Sequence, residues 1–302
     1  MGSAPASTAE NTPTPAARPL SRVAAQLLRA PTRLVGLAAC AAALLLGLGA
    51  LAPPAPSLPA PSMPRASRSR PAAATTREAL EALVLASGSA DLVAGYSRKM
   101  EGETFHHHFH VLYDLRTLLG RARADYAEIG SHNGGSLILA FGHPLDTSVV
   151  SIDPLEVFAT QAGLLAANVR RFNTAPRNFT QHRRRSTDPE FLAQLEAEGF
   201  ACDILFVDGD HSYAQVRADW DAYRGFVRPG GFLVFDDYGM ADSADVKRAV
   251  DGVVLSLAQE ARERELVGAE ASWSVWGQLA NTARARPPEM ALNNEFILHR
   301  VR

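Results

Sequence analysis

The stretch from Asp203 to Tyr238, DILFVDGDHSYAQVRADWDAYRGFVRPGGFLVFDDY, constrains the fold of this chain more than any other. It holds two short apolar runs, Ile204–Val207 and Phe232–Phe235. The first ends in Asp208-Gly209-Asp210-His211 and the second in Asp236-Asp237. A helical pattern from Tyr213 to Phe226 and a Pro229-Gly230-Gly231 turn lie between them. This is a strand–helix–strand unit with carboxylates at the exit of both strands. Parallel neighbours in a sheet lie roughly 4.8 Å apart. Asp208 and Asp236 then finish at one sheet edge, with Asp237 following. Ligands of open α/β sheets bind outside the carboxyl ends of the strands. Three carboxylates converging there repel one another unless a cation neutralises them, and oxygen ligands of this kind suit Mg²⁺, Ca²⁺ or Mn²⁺. His211, whose ordinary pKa lies near neutrality, is the natural general base or substrate contact. The plain alternative is a set of solvated strand-end acids around a turn.

The same alternation runs from Asp125 onward. Strands are expected at Tyr126–Ile129, Ser148–Ile152, Phe179–His182, Cys202–Val207 and Phe232–Phe235. Helices are expected at Leu137–Phe141, Val157–Arg170, Pro189–Ala197, Tyr213–Phe226 and Ser243–Gln259. Trp273–Leu279 and Glu295–Val301 read as closing strands. Regular β-α alternation implies an α/β fold with a parallel sheet covered on both faces by helices. Ahead of it, Thr76 caps a helix start. A second helix is expected from Thr104 to Leu119, with Phe105, Phe109, Leu112, Leu115 and Leu119 on one apolar face. His106, His107, His108 and His110 sit within that helix. They are read as lining a pocket or as plain surface and core residues, with structural metal the lesser alternative because no Cys or carboxylate joins them at ligand spacing.

The first 74 residues are different in kind. They carry seven Arg and one acid, Glu10, for a charge of +6. The whole chain is at -2, so the remainder stands at -8. A basic tail is joined to an acidic globular part, and nucleic-acid binding is not its main business. Residues 1–33, rich in Ala, Pro, Ser and Thr, read as disordered. Leu34–Ala52 is uncharged and apolar, and at about 1.5 Å per residue its length nearly matches a bilayer core of roughly 30 Å. It is read as a transmembrane anchor, with a removed targeting segment and a disordered tail as alternatives. Arginines flank it only on the N-terminal side. The positive-inside rule then leaves a single-pass protein with its C-terminal domain across the membrane. The alternative is an organelle-targeted protein after N-terminal processing. Residues 53–74 form a Pro-rich linker, and the globular domain is expected over 75–302. Cys40 and Cys202 are the only cysteines, and no disulfide is expected between them.

The first strand leads into Glu128-Ile129-Gly130-Ser131-His132-Asn133-Gly134-Gly135-Ser136, which opens a helix. Glycines there let the backbone turn tightly and approach a ligand. The spacing is not the G-x-G-x-x-G of dinucleotide enzymes. Glu128 suits a cationic ligand group and repels a pyrophosphate. Asp153, at the tip of the second strand, is placed to accept hydrogen bonds from ribose hydroxyls.

From about His106 to the C-terminus the chain resembles the class I S-adenosylmethionine-dependent methyltransferases. Within them it is most similar to the small-molecule O-methyltransferase-like family. The residues that carry the resemblance are Glu128-Ile129-Gly130 with Gly134 and Ser136, Phe206–Tyr213, Pro229–Gly231 and Phe235–Tyr238. The resemblance implies a Rossmann-like seven-stranded sheet of order 3-2-1-4-5-7-6 with the last strand antiparallel. It implies S-adenosylmethionine held by Glu128, Gly130, Ser131, Gly134, Ser136, Asp153, Ser186 and Asp208. It implies a divalent cation, Mg²⁺ or another, on Asp208, Asp236 and Asp237, with His211 and Asp208 in catalytic roles. The acceptor is expected to be a small-molecule or sugar hydroxyl. The partners expected are that substrate, a membrane through the N-terminal segment, no nucleic acid, and a second copy in a homodimer. The turn Arg183-Arg184-Arg185-Ser186 departs from the family's commoner glycine-aspartate-serine type and adds positive charge beside the adenine position. Two other readings remain. A membrane-anchored glycosyltransferase would use the Asp208-Gly209-Asp210 triplet, but leaves the Glu128 loop and Asp153 unexplained. A non-catalytic methyltransferase-fold binding module would keep the cofactor without turnover.

Overall fold

The computed structural model describes residues 75–102, 109–145, 147–174, 178–279 and 294–302. The basic tail, the apolar segment Leu34–Ala52, the Pro-rich linker, Cys40 and the histidines His106, His107 and His108 lie outside the described residues. Among the described residues no single helix is long and apolar enough to cross a membrane. One pair bent by 61°, Arg77–Ala86 with Ser89–Ser97, passes on length and composition alone, and its Leu80, Val84 and Val93 are buried in the protein core.

The elements run in chain order as α1 (Arg77–Ala86), α2 (Ser89–Ser97), α3 (His110–Leu118), β1 (Tyr126–Ile129), α4 (Leu137–Gly142), β2 (Ser148–Ile152), α5 (Gln161–Phe172), β3 (Asn178–His182), α6 (Pro189–Ala197), β4 (Cys202–Val207), α7 (Tyr213–Tyr223), β5 (Val227–Phe235), α8 (Ala244–Leu266), β6 (Trp273–Gly277) and β7 (Phe296–Arg300). The seven strands form one sheet of order β3-β2-β1-β4-β5-β7-β6. β1 to β5 are parallel to their neighbours, and β7 runs antiparallel to both β5 and β6. The expected strand order and the antiparallel final strand are both present.

The uniformly apolar strands follow from burial on both faces. Along β4, Ile204 and Phe206 join one core with Leu80, Leu112, Leu115 and Ile138. Leu205 and Val207 point the other way, into a core with Phe191, Val216, Trp220 and Val250. Every residue of β4 is therefore buried. Opposite the functional edge, Arg121 and Arg228 both pair with Asp203, and Arg228 also reaches Asp125 at 2.9 Å. Asp203 further accepts the Asp125 N–H at 2.8 Å. This network ties the entries of β1, β4 and β5 together.

Four local expectations change. The expected apolar face, Phe109, Leu112, Leu115 and Leu119, is buried in one core, with Thr104 and Phe105 outside the described residues, but α3 buries polar residues as well. His110, Asp114 and Arg116 are buried along with Val111, Leu112 and Leu115; α2, which was not expected, meets Asp114, and α4 meets Arg116. Ser89 donates to Asp114 at 2.6 Å, and Arg116 donates to the Ala140 carbonyl at 2.7 Å. The Pro229-Gly230-Gly231 turn lies inside β5 rather than before it. Cys202 pairs with Val227 and Ile204 with Phe232, so residues 228–231 bulge out and the strand resumes. A side chain at Gly231 would strike the Asp203 carbonyl. α5 starts at Gln161, four residues later than expected, since the Gln161 side chain accepts the Val157 N–H at 3.0 Å and holds the intervening turn. α8 runs on to Leu266, carried by side-chain pairs such as Gln259 to Glu263 at 2.9 Å.

Candidate active site

The loop between β1 and α4 and the exits of β4 and β5 meet at the carboxyl edge of the sheet. Gly130 has φ +86, and a Cβ there would overlap the Asp208 carbonyl oxygen. Only glycine allows the first loop to pack this tightly on the β4 exit. Asp208 N–H donates to the Ile129 carbonyl at 2.8 Å, which locks the two strand ends together. Gly134, at φ +90, lies against Leu165 of α5. Among the described residues, His132, Leu155 and Asp237 are the non-glycine residues with positive φ, at 46°, 58° and 57°. They stand just beyond β1, β2 and β5, all on this edge. Left-handed backbone costs an L-residue about 1–2 kcal/mol, and such strain clusters at functional sites.

Glu128 is fully buried at the end of β1. Its Oε2 accepts the Tyr126 hydroxyl at 2.7 Å and the Ser136 hydroxyl at 2.6 Å. Its Oε1 has no hydrogen-bond partner. Burial pushes the carboxyl up to about 7, while the hydroxyls of Ser136, Tyr126 and Ser131 pull it down. A buried carboxylate with one oxygen unmatched is a costly arrangement that a cationic group would relieve. Ser131 is paired with Ser151 at 2.7 Å. Asp153 holds the loops rather than standing free. Its Oδ2 accepts the His132 N–H at 2.8 Å and its Oδ1 the Leu155 N–H at 2.6 Å. Gln161 reaches the same carboxylate at 3.3 Å.

On the other side of the edge, Val207 and Phe235 are register partners, which sets Asp208 beside Asp236. Asp208, His211 and Asp237 each offer a ligand atom, and these atoms lie within 4.8 Å of one another. His211 Nε2 is 3.1 Å from Asp237 Oδ2 and 3.7 Å from Asp208 Oδ1. Asp236 lies outside that group, and its Oδ1 accepts the Asp237 N–H at 2.8 Å. Burial, then the charges of Asp236 and Asp237, raise the Asp208 carboxyl well above its ordinary value. Asp208, with Asp237 and Asp236 behind it, raises His211 to about 9 against the effect of burial. At neutral pH the raised His211 is itself the positive charge between the Asp208 and Asp237 carboxylates. The same three groups could hold a divalent ion through two carboxylate oxygens and an imidazole nitrogen.

Local sequence explains how this loop holds its shape. Asp210 Oδ1 accepts the Ser212 N–H at 2.8 Å, and Ser212 caps α7 by accepting the Gln215 N–H at 3.3 Å. Asp210 is exposed, spends an oxygen on this turn and lies outside the Asp208, His211 and Asp237 group. Tyr238 donates to Asp251 at 2.6 Å and receives Lys247 at 3.1 Å, which braces the β5 exit against α8. Ser186 is buried and donates to Asp219 at 2.6 Å, while its carbonyl accepts the Tyr223 hydroxyl at 2.8 Å. Of the arginines before it, Arg184 pairs with Asp188 at 3.2 Å and Arg185 with Glu156 at 2.7 Å.

The structure thus gathers Glu128, Gly130, Ser131, Gly134, Ser136 and Asp153 around the first two strand ends. Asp208, His211, Asp236 and Asp237 gather around the fourth and fifth. Ser186 faces α7. Tyr126, Gln161, Asn168 and Asp219 also build the site's supports and were not singled out from sequence. Tyr126 shares a strand face with Glu128 through the two-residue period, a usable signal. The three helical residues gave none, because their partners lie on other elements.

Residues 127–238 match the family model described as "Methyltransferase domain". The "Uncharacterized protein R132" of Acanthamoeba polyphaga mimivirus is 34% identical over 203 residues, which cover 66% of this chain and 89% of that protein. Among solved structures, the O-methyltransferase TomG from Streptomyces achromogenes, in complex with SAM, is 17% identical. It matches with a TM-score of 0.47 over 75% of this chain and 99% of its own. The O-methyltransferase from Bacillus cereus, in complex with SAH, is 15% identical with a TM-score of 0.44, over 74% and 100%.

Proposed function

The chain belongs to one family with the mimivirus protein R132 and carries a methyltransferase domain, and we propose that it transfers a methyl group from S-adenosylmethionine to a hydroxyl oxygen of a small molecule or sugar. The observation that carries this reading is the contact of Gly130 with Asp208. It sets a loop suited to a cationic, ribose-bearing ligand directly beside a cluster suited to a hydroxyl and a divalent ion.

S-adenosylmethionine supplies a methyl group on a positively charged sulfur. Glu128, with Oε2 held by Tyr126 and Ser136, keeps Oε1 for the cationic end of that ligand. Asp153 would face the ribose hydroxyls while it braces His132 and Leu155. Asp208 and Asp237 would hold the cation, with Asp236 adding charge from behind, and the ion would lower the pKa of a bound substrate hydroxyl. His211 would accept the hydroxyl proton at Nε2 after losing the proton that Asp208 and Asp237 hold on it. Methyl transfer asks for alignment and deprotonation more than for covalent help. The paired carboxylates supply the first by fixing the imidazole and the acceptor edge.

The test is calorimetry with S-adenosylmethionine, followed by methyl transfer to a panel of phenols, polyols and sugars with and without a chelator. Micromolar binding and a chelator-sensitive product on a hydroxyl are expected. Failure of the folded protein to bind would refute the reading. Binding without any turnover would leave the non-catalytic alternative. Leu34–Ala52 would tether the enzyme to a membrane; fractionation with mass spectrometry of the mature N-terminus tests this. Recovery in the soluble fraction with that segment intact would count against it.

A further inference from the structure

Asn168 of α5 is fully buried, yet it serves no helix and no sheet. Its Oδ1 accepts the Glu101 N–H at 2.9 Å. Its Nδ2 donates to the Glu101 carbonyl at 3.0 Å and to the Asn133 carbonyl at 2.8 Å. Both amide hydrogens are spent. Asn133, also buried, donates from its own Nδ2 to the Glu101 carbonyl at 3.3 Å. Gly102 follows at φ +94 with its backbone against the Asn133 side chain, and Gly134 at φ +90 packs on Leu165 and Asn168. Three segments far apart in sequence therefore meet at one amide: the strap Lys99–Gly102, the loop Gly130–Ser136, and α5.

A buried amide costs free energy unless it is bonded. Here its bonds all go to main-chain groups of two irregular segments. Neither segment has a ladder to hold it, so the geometry of Asn168 sets where one lies against the other. We infer that Asn168 is a positioning residue for cofactor binding, coupling the strap Lys99–Gly102 to the glycine loop so that ligand binding and strap ordering are one event. The inference rests on the proposed reading of that loop as the S-adenosylmethionine site. Coupling is reciprocal: a ligand that steadies the loop steadies the strap, and a broken clamp weakens the ligand by the same factor.

Asn168→Asp tests it in the full-length protein. The substitution sets an oxygen against two carbonyls and removes both donated bonds. The probe is S-adenosylhomocysteine, measured by calorimetry and by hydrogen exchange of the Glu101 amide. In the wild type, saturating ligand should slow Glu101 exchange about 10-fold or more. In Asn168→Asp, affinity should fall by about 10-fold, within the usual span of coupling factors, and the ligand-dependent slowing should vanish. A purely structural role would lower the melting temperature and leave the ligand dependence in place. Unchanged Glu101 exchange on wild-type binding, or wild-type affinity in the variant, overturns the inference. If the variant does not fold, the wild-type exchange result decides alone. A wild type that binds no ligand at all sinks the cofactor reading and this inference with it.

Discussion

Glu128→Gln isolates the energetic cost of the cofactor loop. In the folded protein burial lifts the Glu128 carboxyl from 4.5 to about 7. At about 1.36 kcal/mol per tenfold change in affinity for the proton, ionising it inside the protein costs about 3 kcal/mol. The sign follows from linkage. Between pH 4.5 and about 7 the folded state binds more protons at this site than the unfolded state. Its contribution is therefore fully favourable below 4.5 and is lost as pH rises through about 7. Glutamine removes the ionisation. Its oxygen can still accept from Tyr126 and Ser136, but its amide nitrogen then sits unpaired where Oε1 was, costing about 1–3 kcal/mol at any pH. The variant should be less stable than wild type at pH 5 and more stable than wild type at pH 8. The gap between them should change by about 2.5 kcal/mol over that range. Urea unfolding of both proteins without cofactor, at pH 5, 6, 7 and 8, measures it. A gap that stays constant across the series would refute the argument that Glu128 is held as a desolvated, unmatched acid.

Three further outcomes follow from the same geometry. Gly130→Ala must push the β1 loop off the Asp208 carbonyl, so stability should drop by about 2–3 kcal/mol and S-adenosylmethionine binding should be lost, read by thermal unfolding and calorimetry. Asp237→Gly relieves a left-handed residue worth about 1 kcal/mol and removes a like charge, so the melting point should hold or rise while methyl transfer falls at least about 100-fold. Asp203→Asn breaks the Arg121 and Arg228 pairs at the opposite end of the sheet, so urea unfolding should show a loss of about 3 kcal/mol, with the turnover of the folded fraction unchanged.

Much of the site was legible in one dimension because its residues follow strands directly. Asp208, Asp236 and Asp237 come straight after apolar runs, and parallel pairing carries such positions to one edge. The register of Val207 with Phe235 then sets the acids side by side. His211 follows Asp208 by three residues through a turn whose Asp210 and Ser212 signals are local. Glu128 and the glycines were readable for the same reason. What sequence missed is polar and helical. Gln161 and Asn168 look like ordinary surface positions of α5, and only packing shows that one braces Asp153 and the other clamps Glu101. The apolar face assigned to α3 was incomplete because the burial of Asp114 and Arg116 depends on α2 and on the Ala140 carbonyl.

By itself, then, the sequence determined the α/β alternation, the place of each strand and the residues at each strand exit, since these depend on periodicity and on neighbours a few positions away. The tertiary structure alone decided which acids converge. It put His211 with Asp208 and Asp237 and left Asp236 to brace the Asp237 backbone. It also decided that Glu128 is cut off from water with one oxygen unmatched, and that Asp153 and Asn168 hold loops together. Charge clustering, desolvation and the satisfaction of buried polar groups are properties of what surrounds a side chain in space, and those surroundings come from segments dozens of residues away.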